Sequence, residues 1–282
     1  MISVSCQEQL LPGATLLEKW DFATKAGYDA IELRGKGDLA LEKRLPELRE
    51  AAADGVVMRT VCVDMLHFFG AFDPALRADA IKQMRSQLSV IAELGGVGAM
   101  TPASYGMFSR RLPPFEPPRT EAEDREVLLT GLAELGEHAA SEGVTLFLEP
   151  LNRYEDHMVN RLEQAASLID EIGLPSIRIG ADTYHMNIEE DAPAEALLRW
   201  SSHLGHVQVS DSNRLQPGAG HVDWAAIIAA LTTIGYTGDL ALESRLRGDP
   251  TEAVASVPAF LHRAARAVSP ETSPCAGPVA AG

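Results

Sequence analysis

Strict alternation between short strand-like runs and amphipathic helices, repeated eight times along the 282 residues, is the feature that most constrains the fold. The strand-like runs lie at 2–6, 30–34, 56–63, 97–101, 144–149, 177–182, 206–211 and 239–244. Such alternation predicts parallel strands joined by right-handed crossovers. Eight parallel strands close into a barrel more readily than they form an open sheet.

Glycine follows the last apolar position of most of the predicted helices. Gly27, Gly55, Gly143, Gly173 and Gly235 lie at these positions, where a left-handed residue ends a helix before the next strand. The alternative fold is a doubly wound sheet. It is disfavoured because no glycine-rich phosphate fingerprint follows the first strand.

One domain is expected for a chain of this length that is 46% hydrophobic. The sequence therefore predicts an α/β fold, a single (β/α)8 TIM barrel over residues 1–268. Residues 269–282 consist of Ser, Pro, Ala and Gly with little else and have no periodicity, so they are predicted to be a disordered tail.

The net charge of -16 argues against nucleic acids and anionic membranes as partners, because both are bound through clustered Lys and Arg. Cys6, Cys62 and Cys275 are far apart, so the spacing suggests neither a disulfide framework nor a thiolate zinc site. No signal peptide and no run long enough to span a bilayer is recognisable. We therefore expect a soluble cytoplasmic protein.

Four side chains with oxygen atoms that can bind a metal lie near the carboxyl ends of the last four predicted strands. They are Glu149, Asp182, Gln208 and Glu243. Strand alternation directs Glu149 and Glu243 into the barrel, at the face where active sites of such barrels lie. We expect all four to converge at one mouth.

A divalent metal is the simplest explanation for this convergence. Three carboxylates held together without a cation would repel one another and raise one another's pKa. Ligation by oxygen alone favours Mn²⁺, Mg²⁺ or Co²⁺ over Zn²⁺, which prefers His and Cys. One divalent metal is predicted, with Mn²⁺ as the first choice.

Five motifs around these residues are specific in combination. They lie at 148–155, 181–190, 205–214, 217–220 and 242–244. In them the chain resembles the xylose isomerase-like TIM barrel superfamily, in particular ketose 3-epimerases of the tagatose and allulose type and hydroxypyruvate isomerases. The resemblance covers about residues 1–265.

The resemblance implies that Glu149, Asp182 and Glu243 are three of four metal ligands. In the epimerases the fourth is usually a histidine, at the position that Gln208 occupies here. The hydroxypyruvate isomerase branch has glutamine in a similar His-Val-Gln stretch. The chain therefore resembles the ketose 3-epimerases in some motifs and the hydroxypyruvate isomerases in others.

The resemblance also implies that Glu155, His185 and Arg214 bind substrate. The position of His185, three residues after Asp182 in a predicted loop, favours the same role. A planar guanidinium at Arg214 suits the vicinal oxygens of a polyol, at its C1 to C2 end.

The expected reaction is metal-assisted proton transfer at a carbon beside a ketone. Glu149 and Glu243 are predicted as acid/bases on opposite faces of a planar enediolate, which gives C3 epimerisation of a free ketose. Aldose-ketose isomerisation of the hydroxypyruvate isomerase type would use the same residues. A metal-dependent lyase or dehydratase acting on a related keto-sugar is a further alternative.

Several other points stay open at the level of sequence. A non-catalytic sugar-binding barrel is a rival interpretation, and an endonuclease of the same superfamily is disfavoured by the acidic charge. The substrate is expected to be a free sugar or a small hydroxy-keto acid, and the resemblance implies a homo-oligomer, either a dimer or a tetramer. The segment 103–118 is either a lid or a dimer contact, and Glu32 holds either a substrate hydroxyl or a core hydrogen bond.

Overall fold

The computed structural model describes residues 2–107 and 116–268, so the predicted tail at 269–282 and the middle of the segment 103–118 lie outside the described residues. Eight parallel strands form a closed barrel in chain order, which confirms the predicted fold. The strands are β1 (Ser3–Gln7), β2 (Ala30–Lys36), β3 (Met58–Asp64), β4 (Gly98–Pro102), β5 (Thr145–Glu149), β6 (Ile177–Asp182), β7 (Leu204–Val209) and β8 (Asp239–Leu242).

Helices cover the outside of the barrel. They are α1 (Leu16–Ala26), α2 (Ala40–Lys43), α3 (Leu45–Ala53), α4 (Pro74–Glu93), α5 (Glu121–Glu142), α6 (Leu162–Ile172), α7 (Thr183–Glu189), α8 (Pro193–Arg199), α9 (Trp224–Thr233) and α10 (Pro250–Val268). The helix predicted at 193–203 is shorter than expected and is followed by a 3-10 turn at Ser201–His203. Helix α7 occupies a segment for which the sequence predicted a loop. No helix within residues 2–107 and 116–268 has the length and apolar character needed to cross a membrane.

Local sequence explains where the helices begin and end. Thr15 and Thr120 begin α1 and α5 with capping boxes, in which the threonine side chain accepts from a backbone N–H of the first turn. Gly27 and Gly143 end the same helices with positive φ angles of 93° and 72°. A residue with a Cβ atom would be strained at both positions.

The two faces of each strand have different environments, as the alternation predicts. Leu146 and Leu148 of β5 are fully buried on the helix side. Inside the barrel, Phe147 stacks on His206 of β7 with 5.3 Å between ring centroids. A Cβ atom at Gly205 would lie 2.7 Å from the Phe147 ring, so only glycine leaves room for that ring. Phe147 and His206 thus pack together inside the barrel, below the upper strand ends.

Strand register places the predicted site residues at the upper end. Asp182 and Gln208 are Cα partners on β6 and β7, and Glu149 is the last residue of β5. Glu243 lies one residue beyond β8, and its backbone N–H donates to the carbonyl of Val209 at 3.3 Å. All four side chains are therefore at the carboxyl ends of the strands.

Candidate active site

A cavity of about 550 Å³ opens at the carboxyl end of the barrel. Five of the predicted site residues line it: Glu149, Glu155, His185, Arg214 and Glu243. The rest of its wall includes Gln7, Cys62, Phe68, Tyr105, Tyr184 and Asn213. A concave polar pocket at this face is the usual place for the active site of such a barrel.

Three buried side chains form the centre of the site. Glu149, Asp182 and His185 place potential metal-binding atoms within 4.8 Å of one another. Nε2 of His185 lies 3.7 Å from Glu149 Oε1 and 3.9 Å from Asp182 Oδ2. The same nitrogen is 3.9 Å from Glu155 Oε2, whose side chain is one-third exposed. The structure therefore brings residues of the predicted catalytic, metal and substrate groups together.

Asp182 has two structural tasks. It ends β6 and is also the N-cap of α7, where Oδ1 accepts from the backbone N–H of Tyr184 at 2.7 Å. Its other oxygen faces the site. The predicted loop position of His185 is wrong, because His185 lies in α7, which starts directly after Asp182.

Arg214 bridges two of the predicted carboxylate ligands. Its Nη1 lies 2.5 Å from Asp182 Oδ2, and its Nη2 lies 2.9 Å from Glu243 Oε2. The guanidinium carbon lies 4.9 Å from the centre of the Tyr184 ring. Arg214 thus connects Glu243 to the buried centre.

The electrostatics reflect the crowding of acidic groups. Burial raises the pKa of Glu149 well above its usual range, and the charges of Glu243 and Asp182 raise it further. Burial also raises the pKa of Glu243, although Arg214 opposes the shift. Burial and then Arg214 lower the pKa of His185 to about 3. Three carboxylates facing one guanidinium leave an excess of negative charge, which a divalent cation would balance.

Gln208 has a side-chain oxygen that is suited to bind a divalent cation. Its side chain is fully buried, and its Nε2 donates to Glu32 Oε1 at 2.8 Å. Its Oε1 is buried and has no hydrogen-bond partner among the described residues. A buried acceptor without a partner is rare in proteins. Gln208, Glu149, Asp182 and Glu243 would offer oxygen atoms alone, which is the donor chemistry that hard divalent cations prefer.

Glu32 belongs to the barrel core. It is fully buried and accepts hydrogen bonds from the side chains of Gln7, Thr60, His206 and Gln208. Of the two roles that the sequence left open, the structure supports the core hydrogen bond. His206 is held between Glu32 and the Phe147 ring, below the site.

Three residues that shape the site have no distinctive sequence pattern of their own. Asn152 contacts His185, Tyr184 lies against Arg214, and Asp211 organises the loop that carries Arg214. Asn152 and Tyr184 lie inside the motifs at 148–155 and 181–190, and this position is the sequence signal that marks them. Asp211 ends the run 206–211, where a polar residue leaving a strand was the only clue.

The fold and site together define a sugar isomerase or epimerase barrel. The family model "Xylose isomerase-like TIM barrel" matches residues 20–264. The chain belongs to that family, and the predicted resemblance is confirmed.

The chain is similar to several known sugar epimerases. The chain is 37% identical over 254 residues to the 3-dehydro-D-guloside 4-epimerase of Escherichia coli K12, covering 89% of this chain and 96% of the relative. It is 31% identical over 226 residues to the L-ribulose 3-epimerase of a Methylomonas species, covering 79% and 76%. The crystal structure of the E. coli 3-keto-D-glucoside 4-epimerase superposes with a TM-score of 0.88 at 36% identity, covering 93% of this chain and all of that one. These relatives are named epimerases, the class of enzyme that the sequence predicted.

Proposed function

We propose that this protein epimerises a keto sugar at a carbon bonded to the ketone carbon. The observation that carries the proposal is the pair Glu149 and Glu243, two carboxylates that line one cavity. Two carboxylates that line one pocket are suited to remove a proton from a bound substrate and to return one.

Both reactions named for the relatives need the same proton transfer. In a 3-keto sugar the C4–H lies beside the ketone, and in a 2-ketose the C3–H does. A glutamate removes that proton and leaves a planar enediolate. A second glutamate returns a proton to the same carbon from the opposite face, which inverts its configuration. We assign these two roles to Glu149 and Glu243.

The preferred substrate is a 3-keto hexoside that is inverted at C4. The relative named for that reaction is 37% identical and is matched over 96% of its length. C3 epimerisation of a free ketose, the reaction expected from the sequence, is the second candidate. It is favoured by the 31% identity to an L-ribulose 3-epimerase and by Glu155, His185 and Arg214, which the resemblance gives as the residues that hold a ketose.

We propose that one divalent metal is held by oxygens of Glu149, Asp182, Gln208 and Glu243. When bound, it supplies positive charge that polarises the ketone and stabilises negative charge on its oxygen. Mn²⁺ is the proposed ion because the donors are all oxygen, and Mg²⁺ and Co²⁺ are the alternatives. The buried Oε1 of Gln208 supports this assignment.

The remaining predicted roles are also part of the proposal. Glu155, His185 and Arg214 line the cavity and are proposed to contact the substrate hydroxyls and carbonyl. A cytoplasmic location and a homo-oligomer of two or four chains stay predictions. Light scattering during size-exclusion chromatography measures the number of chains.

The test uses protein stripped with a chelator and reloaded with Mn²⁺. Methyl 3-keto-glucoside, D-allulose, L-ribulose and hydroxypyruvate are incubated in deuterated water, and the products are read by NMR. Deuterium at an inverted C4 supports the preferred substrate, and deuterium at an inverted C3 supports the second. Deuterium at C1 of a ketose indicates isomerisation, and loss of water indicates elimination. Absence of exchange on every substrate would overturn the proposal.

Matched variants test the two bases. Glu149→Gln and Glu243→Gln keep the side-chain shape and remove the proton-accepting oxygen. Each should lose turnover while keeping the fold, as measured by circular dichroism. Full activity in Glu243→Gln would contradict the two-base assignment.

A further inference from the structure

We propose that Glu32 is a positioning residue that fixes the orientation of the Gln208 carboxamide, so that Oε1 of Gln208 is presented to the metal. The inference rests on the proposed function, because it explains how the site holds one of its proposed ligands.

The contacts of Glu32 account for both of its oxygens. Oε1 accepts from Gln208 Nε2 at 2.8 Å and from Gln7 Nε2 at 3.3 Å. Oε2 accepts from Thr60 Oγ1 and His206 Nε2, each at 2.8 Å. Four donors converge on the two oxygens, which is the arrangement expected around a carboxylate that has only acceptors to offer.

A carboxamide can be turned by half a rotation with little change of shape, so its environment decides which end faces which neighbour. Opposite Glu32, only the NH₂ end of Gln208 gives an attraction, because the carbonyl end would bring two acceptors together. Hydrogen bonds to a charged acceptor are stronger than those between neutral groups. Glu32 therefore directs the Oε1 of Gln208 away from itself.

The other end of the carboxamide agrees with this arrangement. Oε1 of Gln208 is buried and has no hydrogen-bond partner among residues 2–107 and 116–268. Gln208 is the Cα partner of Asp182, which belongs to the central cluster of the site. An acceptor held free in this place is suited to a cation, whereas the NH₂ end would repel one.

Glu32 itself does not reach the cavity. Its side chain has no exposed surface, and neither Glu32 nor Gln208 is among the residues that line the cavity. The charge of Glu32 acts on the site at a distance and raises the pKa of Glu149 and Glu243. Its contact with the site passes through a neighbour, and Gln208 is the neighbour that is also a proposed ligand. Groups of this kind commonly change metal affinity by about 10- to 100-fold when they are altered.

A double-mutant cycle tests the inference. Mn²⁺ affinity is measured by isothermal titration calorimetry on chelator-stripped wild type, Glu32→Gln, Gln208→Leu and the double variant. Glu32→Gln should bind Mn²⁺ about 10- to 100-fold more weakly, because a carboxamide at position 32 can pair with either end of Gln208. The double variant should bind no more weakly than Gln208→Leu alone. Unchanged affinity in Glu32→Gln, or losses that multiply in the double variant, would overturn the inference.

Thr60→Val is the matched control. It removes a donor from the other oxygen of Glu32 and does not touch Gln208, so Mn²⁺ affinity should stay within about twofold of the wild type. A loss as large as that of Glu32→Gln would mean that any disturbance of the core weakens the site, and the inference would fail.

A swapped pair covers the case in which Glu32→Gln does not fold. In the variant Glu32→Gln with Gln208→Glu, the residue at 32 donates and the residue at 208 accepts, which leaves a carboxylate oxygen free for the metal. Mn²⁺ binding within about tenfold of the wild type supports the inference, and a larger loss contradicts it. If the wild type binds no Mn²⁺ at all, the proposed metal site is wrong. If the losses of affinity in Glu32→Gln and Gln208→Leu add up in the double variant, only the role of Glu32 is wrong.

Discussion

The backbone N–H of Asn152 donates a hydrogen bond to Nδ1 of His185 at 3.0 Å. The side-chain Nδ2 of Asn152 lies 2.9 Å from the same nitrogen, while its Oδ1 accepts from the backbone of Tyr154. Because a backbone N–H can only donate, Nδ1 of His185 is an acceptor, and the neutral ring carries its proton on Nε2. Nε2 faces Glu149 and Glu155. Nε2 of His185 is therefore a hydrogen-bond donor. Its distances from the carboxylates of Glu149 and Asp182 would by themselves also suit a metal ligand.

Two substitutions of His185 should differ because they keep different ends of the ring. In His185→Gln the amide nitrogen reaches the position of Nε2 and still donates, whereas the shorter His185→Asn leaves that position empty. We expect His185→Asn to lower kcat by about 100-fold or more, the usual effect of removing one donor from a developing oxyanion, and His185→Gln to lose much less. Steady-state kinetics measures both. Equal losses would contradict the donor role.

The protons held by Glu149 and Glu243 should contribute less to the stability of the metal-free protein as the pH rises. Because the pKa values of Glu149 and Glu243 are raised in the folded state, the folded chain keeps protons that the unfolded chain releases. The stabilisation by these protons is complete below about pH 4.5 and is lost as the pH rises through the raised pKa values. Glu149→Gln removes one of the repelling charges. In the presence of chelator it should unfold at a higher temperature than the wild type at pH 8, with a smaller difference at pH 5.

Calorimetry at both pH values checks this expectation. Added Mn²⁺ should reverse the order at pH 8, because the wild type keeps a ligand that the variant has lost. Glu195→Gln, at an exposed position in the first turn of α8, is the control and should follow the wild type throughout. If Glu149→Gln unfolds at a lower temperature than the wild type at pH 8 without metal, the Glu149 carboxylate is not destabilised by its acidic neighbours.

The barrel and its acidic mouth could be predicted because both follow from periodicity. Two-residue alternation fixes which face Glu149 takes, and parallel register places Asp182 beside Gln208 at the same edge. Neither inference needs knowledge of the loops. For this reason the strand ends were predicted to within a few residues, and the site appeared where the strands end.

The contacts that determine how the site works could not be predicted in the same way. Helix α7 has seven residues, too few for a helical period to be visible, so the sequence predicts a loop at His185. Asn152 and His185 are separated by 33 positions and meet only because two segments that follow neighbouring strands fold over the same mouth. Arg214 has a φ of 60°, which is a left-handed conformation. Non-glycine residues rarely adopt it, so the residue type at position 214 does not predict it.

Asp211 should control substrate affinity through the loop that carries Arg214. Its carboxylate accepts from the backbone of Ser212, Gly218 and Val222 and from the indole nitrogen of Trp224, at 2.8 to 3.0 Å. Its backbone carbonyl accepts from Arg214 N–H at 2.8 Å. Asp211→Ala leaves three backbone N–H groups and the indole N–H of Trp224 without an acceptor. We therefore expect roughly 3 kcal/mol less stability and a KM about tenfold higher.

The control for Asp211→Ala is Asp249→Ala, which removes an exposed carboxylate that accepts from the first backbone N–H groups of α10. Loss of such a cap costs about 1 kcal/mol. Its KM should be unchanged, since this cap is not linked to Arg214. Chemical denaturation gives the stabilities and initial rates give KM. A normal KM in Asp211→Ala would show that Arg214 holds its position without the loop.

Arg214 should affect metal and substrate in opposite directions. Its guanidinium pairs with Asp182 and Glu243, so it balances part of the charge that a divalent cation would otherwise balance alone. In Arg214→Gln the site is more negative, and we expect Mn²⁺ to bind on the order of tenfold tighter. Substrate should bind more weakly, because a planar donor for its oxygens is lost. Calorimetry measures the affinity for Mn²⁺, and KM reports the binding of substrate.

Arg153→Gln is the control for Arg214→Gln. Arg153 pairs with Glu189, so this substitution should change neither the Mn²⁺ affinity nor KM. Weaker Mn²⁺ binding in Arg214→Gln would mean that the guanidinium holds the carboxylates in place for the metal rather than competing with it.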